Sequence, residues 1–332
     1  MNVSDIINEI NILVGMSKYD EALEKIQILK DSQEISEDIY YEEALIYINL
    51  KMYDKALSIC RLGLQFNTQS SKFYSLLGII FDNKKNKNMA CICYEEAAKL
   101  CKKNKDNIGL LKNLESINLL NADVKKLSII IFADNNYECT KICLDSINKF
   151  TYDITQIIII DYNSKDGRFS TFECEENVSV ISVNDKGRLA AYNEALMKVG
   201  YDRDLIIVDS RTILMPNTIF TLRMALYEND SIIATSSVSN NGDDNQYIDI
   251  SCTNFNKYAD FASKNNIINT ELHTESKKVN MFCTMLKCDF LLSIGLFSEK
   301  YIEVKDNNIY FKTNNEEEKS IICKDSFTYR IL

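Results

Sequence analysis

A 34-residue period runs through the first third of the chain and constrains its fold more than any other feature. Lys18-Tyr19-Asp20-Glu21-Ala22 returns as Met52-Tyr53-Asp54-Lys55-Ala56, and Lys87-Asn88-Met89-Ala90 keeps the register, so Ala22, Ala56 and Ala90 stand 34 residues apart. Twelve residues ahead of each alanine lie Ile10, Ala44 and Gly78, where two helices of a hairpin touch and small residues permit close contact. Leu45, Ile48 and Leu50, then Ala56, Ile59, Cys60 and Leu64, fall on helical faces rather than alternating as strand residues do. A hairpin of this size cannot bury its apolar face alone, so it stacks on its neighbours into a curved array. Three hairpins over 3–102 and a capping helix at 108–120 are predicted. Tyr40, Tyr41, Tyr47 and Tyr74 either line the concave surface or belong to the core.

The period and the Tyr-x-x-Ala pairs resemble the tetratricopeptide repeat, although the tryptophan and the proline usual at the end of a unit are absent. The resemblance implies a helical repeat domain over 1–121 whose concave face binds a peptide or protein.

A chain of 332 residues suits two domains, and 46% hydrophobic with 26% charged residues is an ordinary folded mixture. A formal net charge of -10 leaves no basic stripe for a phosphate backbone, which argues against nucleic-acid binding. No basic segment precedes an apolar core at the N-terminus and no apolar run reaches bilayer length, so a cytoplasmic chain without a membrane span is expected. The 11 cysteines are scattered, at spacings such as Cys91-x-Cys93 and Cys139-x3-Cys143 that suit helices, and are expected to be reduced, buried thiols. With one histidine, His273, a Cys/His metal site has little to work with, and that residue is expected at the surface.

Around Asn121-Ala122-Asp123-Val124-Lys125-Lys126 the pattern changes from helical spacing to short apolar strands. Strands at 127–132, 156–160, 178–183 and 205–208 alternate with helices at 138–150 and 189–199, which predicts βαβ units and a mostly parallel, Rossmann-like sheet. The fold class is therefore α followed by α/β. Right-handed crossovers place the loops after Phe132, Ile160 and Val208 on one edge of the sheet, where ligands of such sheets collect. The fourth strand ends in Asp209-Ser210-Arg211, and Pro216, the one proline of the chain, follows. The triplet is either a site or only a strand-to-helix turn with Pro216 in the first turn of the next helix. A further strand is expected at 231–235, and the acidic stretches 240–245 and 314–319 are expected to be solvated loops.

The order of motifs over 127–332 resembles the inverting family 2 glycosyltransferases, which have the GT-A fold and use nucleotide-sugar donors. Five segments carry it: Ser128-Ile129-Ile130-Ile131 followed by Asn135; Ile157 to Ile160 with Asp161-Tyr162-Asn163-Ser164-Lys165-Asp166-Gly167; Asn184-Asp185-Lys186-Gly187 with Ala191-Tyr192-Asn193-Glu194-Ala195; the Leu205 to Pro216 stretch; and Gly295-Leu296-Phe297-Ser298-Glu299-Lys300-Tyr301.

The resemblance implies a bacterial-type, inverting hexosyl transferase that takes a UDP-sugar and passes the sugar to a protein or peptide docked on the repeat array. By position, Asp161 accepts from the pyrimidine ring N–H with Asn163 beside it, and Phe132, Ala133, Asp134 and Asn135 cup the base. Gly187, Arg188 and Asn193 approach the ribose and diphosphate, and Asp209, Ser210 and Arg211 match the family's Asp-x-Asp. That motif implies a divalent cation, Mn or Mg. Here only Asp209 remains as a carboxylate ligand, because Arg211 stands at the second position and Arg330 where many members have a metal-binding histidine. Either the two arginines replace the cation on the leaving diphosphate, or the domain is catalytically silent and serves as a partner or adaptor. The base that deprotonates the acceptor is placed at Asp306, with Glu303 as the alternative.

Overall fold

The computed structural model describes residues 3–151, 154–165, 167–184, 186–242, 245–250, 254–305 and 308–331, the side chains of Val3, Ser4 and Thr155 excepted. Asp166, Asp185, Asp243, Asp244 and the expected base Asp306 lie outside the described residues. The chain divides into two compact units, Met1–Val124 and Lys125–Leu332.

The first unit is a succession of helices: α1 (Val3–Gly15), α2 (Tyr19–Asp31), α3 (Glu37–Asn49), α4 (Tyr53–Phe66), α5 (Ser71–Asn83), α6 (Lys87–Lys103) and α7 (Asn107–Leu120). The period governs both packing and helix ends. Ala22, Ala44, Ala56 and Ala90 are fully buried. A Cβ on Gly78 would stand 2.5 Å from the Tyr94 ring, so only glycine lets α5 and α6 approach this closely there. The first helix of each hairpin ends at a left-handed residue, Ser17, Lys51 and Lys85, again 34 positions apart (φ 58, 58 and 67°). Polar contacts span one repeat: Lys72 to Asp38 at 2.6 Å, Ser70 Oγ to Glu37 at 2.5 Å, and Lys103 to Gln69 at 2.8 Å. Tyr40 and Tyr74 are core residues, whereas Tyr41 and Tyr47 are half-buried and covered by Lys72 and Lys55 at 5.2 and 5.5 Å from their ring centres.

The second unit comprises β1 (Leu127–Asp134), α8 (Tyr137–Phe150), β2 (Ile154–Tyr162), β3 (Val178–Val183), α9 (Arg188–Val199), β4 (Asp204–Asp209), β5 (Thr212–Ile213), α10 (Thr218–Leu226), β6 (Ile232–Ser239), α11 (Phe255–Asn265), β7 (His273–Ser276), β8 (Lys278–Asn280), β9 (Cys283–Leu286), α12 (Cys288–Ile294), β10 (Ile302–Lys305), β11 (Asn308–Lys312) and β12 (Lys319–Arg330). The main sheet has the order β3-β2-β1-β4-β9-β6-β12-β5, with β7 also on β12, and β10-β11-β8 form a smaller one. β3, β2, β1 and β4 are mutually parallel, and β9 inserts antiparallel between β4 and β6. The isoleucine-rich runs of β1 and β4 are buried almost throughout, as strands covered on both faces must be.

Four expectations are corrected. The Asp209 triplet leads into β5, which pairs with β12, and α10 begins only at Thr218, so Pro216 lies two residues ahead of the helix. The strand expected at 231–235 continues to Ser239 because β12 pairs with it along that length. His273 is not a surface residue: β7 lies against β12, and its side chain is only 5% exposed between Glu228 and Asp325. Cys174 departs from the expectation of buried thiols by being exposed, and the described cysteines are free. Among the described residues no helix is long and apolar enough to cross a membrane.

One side chain ties the segment after the triplet to β12. Fully buried Asn266 donates to the carbonyls of Pro216 and Phe327 at 2.9 and 3.0 Å and accepts from the Phe327 N–H at 2.7 Å.

Candidate functional site

Parallel pairing brings the ends of β1, β2 and β4 to one edge of the sheet. In register, Ala133 stands beside Asp161, Asp134 beside Tyr162, and Phe132 beside Asp209. The three acids are thus the last or next-to-last residues of their strands, not members of free loops. Asp161 is buried and accepts from Ser182 Oγ at 3.3 Å. Asn135 and Asn163 each turn the chain away with a left-handed backbone (φ 51 and 53°) and lie exposed, Asn163 donating its N–H to the Val183 carbonyl at 3.0 Å.

Arg188, the first residue of α9, reaches over this edge. Its guanidinium pairs with Asp134 at 2.5 Å and lies 5.2 and 5.7 Å from the ring centres of Phe132 and Tyr162. Phe132 in turn stacks on Tyr192 at 5.0 Å. The preceding Gly187 faces open space, since a Cβ added there meets nothing within 4 Å. Burial pushes the Tyr192 phenol well above its usual range, so it stays neutral.

At the end of β4 the Asp209 carboxylate is enclosed by guanidinium groups. Oδ1 accepts from the Arg211 N–H at 2.9 Å and from its Nε at 3.1 Å, while Oδ2 faces Arg211 Nη2 at 3.0 Å and Arg330 Nη2 at 3.8 Å. Burial alone would raise the carboxyl, but the hydrogen bond and charge of Arg211 and the charge of Arg330 outweigh it and hold Asp209 below the usual carboxylate range. Arg330 is fixed in place: its backbone exchanges hydrogen bonds with the Asn240 amide, Nη1 donates to the Asn241 carbonyl at 2.8 Å, and the guanidinium lies 4.9 Å from the Phe282 ring centre.

Phe132, Arg188, Tyr192, Asp209, Asn280, Phe282 and Asn308 line a cleft with a cavity volume of about 10 Å³, room for about one water. Of these, Asn280, Phe282 and Asn308 carry no signal in the sequence that marks them as site residues, except that Asn308 lies two positions from Asp306, while Tyr192 belongs to the Ala191 to Ala195 segment of the resemblance without being singled out there. Its strand β11 pairs with β10, Asn308 opposite Lys305.

One expected site residue is occupied elsewhere and a second is buried. Asn193 uses its amide on the Phe297 backbone, at 2.9 and 2.8 Å, and so bolts α9 to the Gly295 segment rather than facing the cleft. Ser210 is buried, with its N–H on the Phe132 carbonyl at 3.1 Å. Glu303, the alternative base, is ion-paired to Lys278 at 2.7 Å, and this hydrogen bond lowers its carboxyl.

The cation that the family resemblance implies is not matched by this donor set. Both Asp209 oxygens already face guanidinium nitrogens, and a divalent ion there would sit against two positive charges.

The comparisons with known proteins agree with the architecture. Residues 128–288 match the family model for Glycosyl transferase family 2. Residues 18–114 match that for the Tetratricopeptide repeat protein 21 C-terminal ARM domain. The second unit is thus a GT-A-like domain, and the chain joins it to a tetratricopeptide-type helical array.

Similar solved structures include GalNAc-T7 with UDP, GalNAc and Mn2+, at 12% identity and a TM-score of 0.45, covering 64% of this chain and 45% of that one. Another is the mannosyltransferase PcManGT from Pyrobaculum calidifontis in complex with GDP-Man and Mn2+, at 12% identity and a TM-score of 0.41, covering 74% and 68%. The first TPR domain of human RPAP3 matches at 23% identity and a TM-score of 0.31, covering 35% and 88%. The chain therefore spans less than half of the length of GalNAc-T7. Among curated proteins none matches the sequence.

Proposed function

We propose that the second unit binds a nucleotide-diphosphate sugar, a UDP-sugar by the resemblance, at the β1, β2 and β4 edge and transfers the sugar without a divalent cation. The observation that carries this reading is the convergence of Arg211 and Arg330 on Asp209, with Arg188 on the same cleft, in a chain of net charge -10. A diphosphate offers the bidentate oxygens that guanidinium groups prefer, and on arrival it takes Arg211 from Asp209. Asp161 accepts from the base, while Ala133, Asp134, Asn135 and Asn163 border it.

In the transfer, the bond between the anomeric carbon and the diphosphate oxygen breaks and its electron pair leaves with the diphosphate, where the arginines stabilise the charge. The acceptor hydroxyl attacks from the opposite face with inversion and gives its proton to a carboxylate, assigned to Asp306. The helical array holds a protein or peptide acceptor, which raises its local concentration at the transferase. A cytoplasmic setting fits the reduced cysteines.

One observation favours the rival reading, a silent transferase-like partner of an active enzyme: Arg188 and Arg211 are engaged by the domain's own Asp134 and Asp209, and the cleft holds little free volume. A thermal-shift panel of nucleotide sugars, with and without manganese, separates the two. A rise in Tm with a UDP-sugar that needs no added manganese and disappears in Asp161→Ala supports the transferase. No rise with any nucleotide sugar under either condition overturns it.

A further inference from the structure

We propose that His273, Cys323 and Asp325 form a zinc site that pins the bulge of β12, apart from the cleft at the end of β4. The three side chains each offer one ligand atom, and these atoms all lie within 4.8 Å of one another. Their positions follow from the sheet. His273 and Cys323 are cross-strand partners of β7 and β12. The pairing of β12 with β6 then slips between Cys323 and Phe327, and this irregularity carries Asp325 to the imidazole.

Two details of the ion pair also fit a bound metal. First, Nε2 stands 3.2 and 3.3 Å from the two oxygens of Asp325, longer than the ~2.7–2.9 Å of a charge-assisted hydrogen bond. Ligands bonded to tetrahedral zinc at ~2.0–2.1 Å stand roughly 3.3 Å apart, which is this separation. Second, the other ring nitrogen is held by a carboxylate: Nδ1 meets Glu228 at 2.9 Å. A carboxylate behind a ligating imidazole is the usual means of fixing its tautomer and raising its basicity.

The mixed nitrogen, sulfur and oxygen donor set suits zinc, not magnesium or calcium. The site is also rigid. Asp325 Oδ2 accepts from the Asn269 N–H at 2.7 Å, Asn265 donates to the Lys324 carbonyl at 2.8 Å, and Ser326 Oγ donates to the Thr218 carbonyl at 3.3 Å. Cys323 and Asp325 are fully buried, whereas the Glu228 side chain behind the imidazole is 33% exposed; with three protein ligands, the fourth position is taken by a water.

Binding balances in charge. Bonds form from zinc to sulfur, Nε2 and a carboxylate oxygen, the S–H and Nε2–H bonds break, and two protons pass to the buffer as one doubly charged ion enters. The gain is structural. Beyond the bulge β12 runs on to Tyr329 and Arg330, so the ion fixes the strand that delivers Arg330 to Asp209.

The test uses tag-free full-length protein stripped with chelator and titrated with Co2+. The expected result is tetrahedral cobalt absorption with a thiolate-to-cobalt charge-transfer band saturating at one equivalent, displaced by Zn2+. Cys323→Ser should lose the charge-transfer band and His273→Gln the stoichiometric binding, with circular dichroism establishing that each is folded. Exposed Cys174→Ser should leave both intact. Glu228→Gln should keep the band but weaken affinity by about 10–100-fold, the effect of removing a carboxylate behind a metal-bound histidine. Absence of the band at one equivalent in the wild type, or its persistence in Cys323→Ser, overturns the proposal and leaves the cluster an ion pair.

Discussion

The polar contacts of the two units differ in reach. In the helical array Lys72 meets Asp38, Lys103 meets Gln69 and Ser75 meets Asn113 across 34, 34 and 38 positions, close to one repeat. In the sheet unit Arg330 meets Asn240 across 90 positions, Asn193 meets Phe297 across 104, and Thr218 meets Phe327 across 109. The array is built from neighbours, so each lesion should be felt locally. The cleft is assembled from distant segments, so it is sensitive to residues that never touch it.

The largest expected effect tests the array. Gly78→Val drives a side chain into the Tyr94 ring, with loss of about 3 kcal/mol of stability and of helical circular dichroism in a thermal melt. Tolerance of valine there would show that α5 and α6 do not approach at that point, and the contrast would lose its first half.

Asn266→Ala tests the sheet unit. It removes the acceptor of the buried Phe327 N–H and the donor to the Pro216 carbonyl, a loss of about 2 kcal/mol read in urea unfolding, and it should also loosen nucleotide binding at a cleft it does not line. If stability falls while binding is unchanged, the distant segments are less coupled than argued.

Arg211→Ala should weaken UDP binding by about 10-fold, roughly 1.4 kcal/mol by calorimetry, with no dependence on added manganese or magnesium. Full retention of affinity, or a requirement for added manganese or magnesium, would remove the arginine clamp.

The smallest effect is on pH. Asp209 is held below the usual carboxylate range, so its pairing contributes stability that is full above the unfolded value of about 3.9 and is lost as pH falls through the lower folded value. The Tm difference between wild type and Asp209→Asn should therefore shrink below about pH 4. A constant difference down to pH 2 would mean the carboxyl is not shifted.

Much of this was legible without coordinates. A period of 34 with Ala22, Ala56 and Ala90 implies stacked hairpins, and isoleucine runs at 129–131 and 157–160 imply buried parallel strands, because side-chain spacing reports which faces are covered. The edge where Asp161 and Asp209 meet follows from right-handed crossovers. The fates of Asn193 and His273 were not legible. Both depend on partners more than 40 residues away, Phe297 for one, Glu228 and Asp325 for the other, and pattern within a window carries no trace of them.

The sequence by itself determined the two architectures and the edge of the sheet at which to look, since periodicity and strand order act through local sterics and burial. Only the tertiary structure decided how the charges are paired. It set Arg211 and Arg330 on the one carboxylate, latched Arg188 to Asp134, and gave the lone histidine a buried cysteine and two carboxylates for neighbours. Electrostatic partners are chosen by distance in space, and in the sheet unit that distance is set by β-pairing between segments far apart in the chain.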